Sequence, residues 1–272
     1  MKKILCPTDF SDTAISGITY AAKLAKRIGA EITLFNVVAL SDLLPEEVLM
    51  GEQINSQQAR LRLERQSIEV TKVFKVPCYG DAVATPTSIT NMIKRKASDY
   101  DLMVMGSNGM DHFTQHLTGS NTYRVIKKTS LPVIMVPKDF IYNEIGHVVY
   151  AYAYSEHPDL PIQQLISFCK LTQSYLTVLE VVQEEKIDSE EQQWKNTFSK
   201  VRDFYKEDVT IRFESIRTED VTEGIEEYMD RSDADLLALC SEHHNFIRDI
   251  FHKSVIKSIT ASANYPVLVF HS

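Results

Sequence analysis

Short, uninterrupted runs of apolar residues alternate with helix-like patterns along the first half of the chain. Apolar positions after Ser11 recur three and four residues apart, which predicts a helix that Ser11 or Asp12 caps and Gly29 ends. Continuous apolar runs separated by helices are typical of parallel strands buried on both faces. The predicted strands are 3–6, 31–38, 73–79, 101–105 and 132–136. Besides the helix that ends at residue 28, helices are predicted over 45–71, from Thr85-Pro86 onward and over 120–128. The helix that opens at Thr85-Pro86 has Ile89, Met92 and Ile93 inward.

The second half of the chain repeats the first. Residues 101–106 resemble residues 235–240 at an offset of 134, and Leu34–Val38 matches Val178–Val182 at an offset of 144. Self-similarity of this kind indicates one fold used twice. The short connection Lys138–Gly146 is the predicted boundary between the two copies.

Each copy therefore has the pattern of an α/β domain. The fold class is two tandem doubly wound, five-stranded parallel sheets, Rossmann-like and flanked by helices. The predicted domains are residues 1–140 and 146–272.

Candidate chemistry follows the fourth predicted strand of the first copy. Gly106-Ser107-Asn108-Gly109 is followed by nine residues and then by Gly119-Ser120-Asn121 at the start of a helix. Glycines let backbone N–H groups approach an anion closely. The N-terminus of a helix directs its free amides and the positive end of the helix dipole toward the same anion. Ligands of open α/β sheets bind outside the carboxyl ends of the strands. The segment is therefore predicted to be a phosphate cradle.

Charge and composition narrow the partners. The 272 residues carry a net charge of −8, which argues against a nucleic-acid partner. Residues 1–140 hold 17 basic and 14 acidic residues, or +3, whereas residues 141–272 hold 12 and 23, or −11. The half with the glycine segment is therefore the one that suits an anionic ligand. No apolar stretch reaches the roughly 18 residues of a membrane span, and the scattered cysteines suit a cytoplasmic location.

The glycine pattern, Gly-x2-Gly-x9-Gly-Ser, resembles the ATP-binding signature of the universal stress protein family, and Ile4–Ser11 resembles the family's opening segment. The resemblance implies the adenine nucleotide alpha hydrolase-like variant of the fold and a regulatory, stress-response protein that binds ATP, ADP or AMP. It implies that Asp9 lies beside the nucleotide and that Val37 contacts adenine. The residues so assigned to the nucleotide are Pro7, Thr8, Asp9, Val37, Met105, Gly106, Ser107, Gly109, Gly119, Ser120 and Asn121.

The second copy departs from this pattern. Cys240, His243 and Lys253 stand at the positions of the three glycines, Ala153 replaces Asp9, and only Ser254 is kept. Side chains there would fill the space of a phosphate or exclude glycine conformations. We expect no ordinary ATP binding by this domain.

The sequence supports ATP hydrolysis less well than it supports nucleotide binding. The chain has neither a Walker A lysine nor a GxGxxG fingerprint, and no spacing places a nucleophile beside a base. A bound Mg²⁺ could polarise the phosphates, so slow ATP hydrolysis is one alternative, and a structural module with a vestigial pocket is another. His112 and His116, like the cluster near His243, are interpreted as solvated loop residues rather than metal ligands because their spacing is irregular.

Two surfaces have predicted roles. Arg60, Arg62 and Arg65 are mixed with Glu64 and Glu69 on the second helix, which indicates a solvated face, with a partner-binding role as an alternative. The last strands, 132–136 and 266–270, would leave an edge unpaired. In the family such strands pair between subunits, so the resemblance implies that the two domains pair through them, with a homodimer as a further possibility.

Overall fold

The computed structural model describes residues 1–39, 45–107, 119–152, 159–183, 203–205, 208–241 and 249–271. The chain forms two compact units, Met1–Tyr142 and Asn143–Ser272. Each unit contains five parallel strands in a sheet with helices packed on it. The predicted fold class is confirmed.

The strand order of the first unit reverses in the middle of its sheet. The order is β3-β2-β1-β4-β5, so β1 and β4 are neighbours from which the chain winds in opposite directions. Helix α1 packs beside α2, and α3 beside α4, as a doubly wound sheet requires. The elements are β1 Lys3–Pro7, α1 Asp12–Ile28, β2 Glu31–Ala39, α2 Pro45–Phe74, β3 Cys78–Thr85, α3 Ile89–Ala97, β4 Leu102–Ser107, α4 Gly119–Lys128 and β5 Val133–Pro137.

Helix α1 begins and ends where its sequence predicts. The Ser11 hydroxyl accepts a hydrogen bond from the Ala14 amide at 3.2 Å, so Ser11 rather than Asp12 is the N-cap. Gly29 adopts the left-handed conformation with φ 69°, which ends the helix. Of the apolar residues of α1, Ile18 and Leu24 are buried, whereas Ile15 is 47% exposed although the apolar spacing predicts it inward.

The third strand lies later in the chain than its pattern predicts. Helix α2 continues to Phe74, with Val73 exposed, and Lys75 at φ 62° turns the chain away. The strand is Cys78–Thr85, which pairs with β2. The β-branched residues near 73–76 therefore favoured the wrong element, because packing against the sheet overrides local propensity.

The second unit repeats the first in the same strand order and register. Its order is β8-β7-β6-β9-β10. His147 pairs with Tyr175 as Lys3 pairs with Glu31, and Val267 pairs with Leu237 as Val133 pairs with Met103. The elements are β6 His147–Tyr152, α5 Asp159–Thr172, β7 Tyr175–Gln183, β8 Ile211–Thr218, α6 Val221–Arg231, β9 Leu236–Ser241, α7 Asp249–Ser262 and β10 Val267–His271.

A carboxylate at the same position of both units anchors the first strand. Asp101 accepts hydrogen bonds from the amides of Lys2 at 2.6 Å and Lys3 at 3.0 Å. Asp235 accepts from the amides of Gly146 at 2.8 Å and His147 at 3.0 Å. The amide of Lys2 is the main cause that lowers the pKa of Asp101. The strongest sequence match between the halves thus has a structural reason.

Within the described ranges, we find no helix that combines the length and the apolar character needed to cross a membrane.

Candidate functional site

A cavity opens at the carboxyl ends of β1 and β4, where the strand order of the first unit reverses. Its volume is about 170 Å³, far above the roughly 15 Å³ that one buried water needs, so it is large enough for part of an organic ligand. Open α/β sheets bind ligands at this switch point because the flanking loops diverge there. The described lining residues are Pro7, Thr8, Asp9, Ser11, Thr13, Ala14, Phe35, Asn36, Val37, Ile89, Ile93, Met105, Gly106 and Ser107.

The loop between β1 and α1 forms one wall and is held by its own hydrogen bonds. Asp9 Oδ1 accepts from the Ser11 amide at 3.0 Å and from the Ser11 hydroxyl at 2.6 Å. Thr8 Oγ1 accepts from the Phe10 amide at 3.0 Å. These bonds form an Asx turn and an ST turn, which bend the chain sharply into α1. The exposed Asp9 carboxylate is thereby held at the cavity.

Asn36 ties the second strand to this loop. Its side-chain Nδ2 donates to the Thr8 carbonyl at 2.7 Å, and the Thr8 amide donates to the Phe35 carbonyl at 2.9 Å. Both Thr8 and Asn36 are buried. A buried amide left without these partners would lose roughly 1–3 kcal/mol, so the pair fixes the position of Thr8 relative to β2.

Gly106 has a packing role that its sequence context does not reveal. A Cβ atom on Gly106 would lie 1.9 Å from the Thr13 carbonyl oxygen, and one on Gly17 would lie 2.7 Å from the Gly106 amide nitrogen. The only glycine with a positive φ in the described part of the chain is Gly29. Gly106 is therefore required for the close approach of α1 to β4, not for a left-handed backbone.

The structure brings seven of the eleven predicted site residues to this one cavity. These are Pro7, Thr8, Asp9, Val37, Met105, Gly106 and Ser107. Gly119, Ser120 and Asn121 begin helix α4 as the sequence predicts, although their side chains are outside the described part. Gly109 lies outside the described residues, as do His112 and His116.

Several lining residues escaped the sequence prediction. Asn36 interrupts the apolar run Leu34–Val38, and that polar residue was the signal that could have identified it. Ile89 and Ile93 lie four residues apart on α3 and add apolar surface to the cavity. A pattern of this type is more often assigned to the core, so nothing in the sequence distinguished them.

The cavity has little ionisable chemistry. Among its described lining residues, Asp9 is the only ionisable one. Burial raises the pKa of the adjacent Cys6 thiol well above its ordinary value, so this cysteine stays protonated and is a poor nucleophile. Lys96 lies 5.8 Å from the Phe35 ring and donates to Asp81 at 2.7 Å, and this bond raises the lysine pKa. The arrangement suits binding of a ligand with both apolar and polar parts.

The corresponding region of the second unit has larger and more acidic residues. By strand register, Tyr152 stands where Thr8 does, and its side chain is buried. Glu180 takes the place of Asn36 and accepts a hydrogen bond from Ser215 at 3.0 Å. Cys240 replaces Gly106, whereas His243 lies outside the described residues and the Lys253 side chain is not described. Thr8, Asn36 and Gly106 of the first cavity are thus replaced by larger residues, whereas Ser107 is kept as Ser241.

Within the described ranges, no group of three or more His, Cys, Asp or Glu side chains is close enough to hold a metal ion. A single carboxylate with bound phosphates can suffice for Mg²⁺, and Asp9 is the residue of that type at the cavity.

Comparisons with known proteins agree with this architecture. Residues 1–137 match the model of the universal stress protein family. Universal stress protein Slr1230 of Synechocystis sp. is 23% identical, and the alignment covers 99% of this chain and 100% of the relative. Universal stress protein MJ0531 of Methanocaldococcus jannaschii is 32% identical over 50% of this chain and 82% of the relative.

A solved structure shares the fold over the full length. A universal stress protein from Archaeoglobus fulgidus superimposes with a TM-score of 0.77 at 19% identity and covers 99% of this chain and 98% of that one. The family model spans half of the chain, and the relatives align over half or all of it. The chain belongs to the universal stress protein family.

Proposed function

We propose that the first unit binds an adenine nucleotide in the cavity at the carboxyl ends of β1 and β4, and that the protein acts as a regulatory binding protein in a stress response. The observation that carries the proposal is that seven of the predicted site residues line one cavity at the switch point of the sheet. The net charge of +3 on this half favours an anionic ligand.

The residues at the cavity and at the start of α4 offer a different chemistry to each part of a nucleotide. Val37, Met105 and Ile93 offer an apolar surface suited to a purine ring. Asp9 is an acceptor suited to ribose hydroxyls or to a Mg²⁺ ion that accompanies the phosphates. Gly119 and Ser120 begin α4, whose N-terminus would attract the phosphates. ATP, ADP and AMP all have a purine ring, ribose hydroxyls and at least one phosphate, so all three fit this arrangement.

The second unit is proposed to be a degenerate copy, residues 146–272, that does not bind ATP. Tyr152 and Cys240 add bulk where the first unit has Thr8 and Gly106, and Glu180 adds a negative charge. The net charge of −11 on residues 141–272 also repels an anion. Its proposed role is structural.

Slow, Mg²⁺-dependent ATP hydrolysis is the second candidate. The exposed carboxylate of Asp9 favours it, because that group could help to hold the metal. Against it, one oxygen of Asp9 already accepts two hydrogen bonds from Ser11, and the described lining has no second ionisable group to act as a base. Binding is therefore the main proposal.

The location and assembly of the protein are proposed on sequence grounds. None of the four cysteines forms a disulfide, and three of them are buried, which favours the cytoplasm. Pairing of the last strands of the two halves and formation of a homodimer stay predictions.

A pair of matched substitutions tests the proposal. Val37→Trp places an indole in the cavity of the first unit, whereas Val181→Trp makes the same change at the equivalent register of the second. We expect calorimetry to show that Val37→Trp abolishes ATP binding and that Val181→Trp leaves it unchanged. Equal affinity in both variants and the wild type would contradict the proposed site, and phosphate release that stops in Val37→Trp would favour the enzyme.

A further inference from the structure

The loop at the cavity contains a residue in an unfavourable backbone conformation. Phe10 has φ 66°, a region that bulky side chains seldom occupy. It directly follows Asp9, which lines the cavity, and directly precedes Ser11, which caps α1. The surrounding contacts must hold this conformation, because nothing intrinsic to phenylalanine favours it.

Helix α2 supplies one of these contacts. The Arg62 guanidinium lies over the Phe10 ring, 4.2 Å from its centroid. This distance is well inside the range of about 6 Å at which a cation and a ring attract each other. The sequence pattern placed Arg62 on a solvated face, but the structure places its charged group on an aromatic ring of the site loop.

The position of Arg62 is fixed by its neighbour in the chain. Leu63 is buried against Gly80 of β3, so closely that a Cβ atom on Gly80 would lie 2.8 Å from the Leu63 Cβ. This contact sets the height of α2 on the sheet at that turn. Arg62 therefore reaches Phe10 from a rigid base rather than from a loose helix end.

We propose that Arg62 is a positioning residue for the nucleotide site, acting through Phe10 on the turn that presents Asp9. The inference rests on the proposed function. The stack favours the left-handed Phe10 conformation, in which Asp9 Oδ1 accepts from the Ser11 amide at 3.0 Å. Without the stack, the turn is populated less before binding, and the apparent affinity falls by that population factor.

The test compares binding of ATP and of adenosine to the wild-type chain and to Arg62→Ala. An exposed cation–π contact corresponds to a factor of about two to five in a binding constant. We expect Arg62→Ala to weaken both ligands equally and by at most this factor, because the arginine acts on the loop and not on a phosphate. Arg62→Lys should recover part of the loss. Arg65→Ala removes the same charge from an exposed position three residues along α2 and should change neither affinity.

A double-mutant cycle identifies Phe10 as the intermediary. Phe10→Leu should weaken both ligands as Arg62→Ala does, and Arg62→Ala should cause no further loss in the Phe10→Leu background. Loss for ATP alone, additive losses, or unchanged affinity in Arg62→Ala would each overturn the inference while leaving the site itself in place. If the wild type binds neither ligand, the proposed function fails, and this inference fails with it.

Discussion

Substituting Gly106 with alanine places a methyl group against the backbone of helix α1. The new Cβ would lie 1.9 Å from the Thr13 carbonyl oxygen, and ordinary contacts begin at 3.4 Å. Helix and strand must therefore separate by about 1.5 Å, and because the obstacle is backbone within the first turn of a capped helix, no side-chain rotation relieves it. Overpacking costs about 1–3 kcal/mol and at times more, so we expect a loss near 3 kcal/mol in the free energy of unfolding.

Urea unfolding without nucleotide, followed by far-ultraviolet circular dichroism, measures this loss. With a slope of about 1–3 kcal/mol per molar urea, the midpoint should fall by at least about 1 M. Trp194, the single tryptophan, belongs to the second half of the sequence, so hydrogen exchange over residues 12–28 is the better local probe of α1.

Two other glycines serve as controls for Gly106→Ala. Gly29→Ala meets no atom within 4 Å but has φ 69°, so it should cost only about 1 kcal/mol. Gly146→Ala meets Asp235 at an ordinary 3.6 Å and should be nearly neutral. If Gly106→Ala unfolds at the wild-type urea concentration yet loses nucleotide binding, the glycine serves the ligand, and the packing argument is refuted.

Two further expectations concern pH. The folded-state pKa of Asp101 is lowered, chiefly by the Lys2 amide, so its stabilisation is present above about pH 4 and is lost as the pH falls through and below that value. Asp101→Ala should therefore cost about 1–3 kcal/mol at pH 7 and less at pH 3 in urea unfolding, and an equal cost at both would contradict this. Burial is the main cause that lowers the pKa of His147, so the folded state disfavours its protonation, and the second unit should lose stability as the pH falls below 6.5. An NMR titration of His147 with a midpoint at or above 6.5 would refute this expectation.

Local features of this fold could be predicted from the sequence, because neighbours in the chain determine them. Ser11 and Gly29 mark the ends of α1 through capping chemistry that operates within a few residues. The switch from helix to strand between Phe74 and Cys78 was misplaced by several residues, since the packing of α2 on the sheet decides it. The spacing of Gly106 from Gly119 and Ser120 predicted a phosphate-binding site after the fourth strand.

Contacts between distant segments could not be predicted. The requirement for Gly106 comes from Thr13, and the role of Arg62 comes from Phe10; each pair meets only in the folded unit. The match between Asp101 and Asp235 revealed a repeat in the sequence but not its cause, which is a carboxylate that binds two amides of the first strand. Such roles depend on three-dimensional proximity and have no signature in spacing.

The stoichiometry of adenine nucleotide binding tests the central claim most directly. Isothermal titration of the full chain with ATP should give one site per chain, and Val37→Trp should remove it, because the first unit has the cavity and the second carries Tyr152, Glu180 and Cys240 at the equivalent positions. No binding by the wild-type chain, or two equivalent sites per chain, would contradict the assignment of nucleotide binding to the first unit alone.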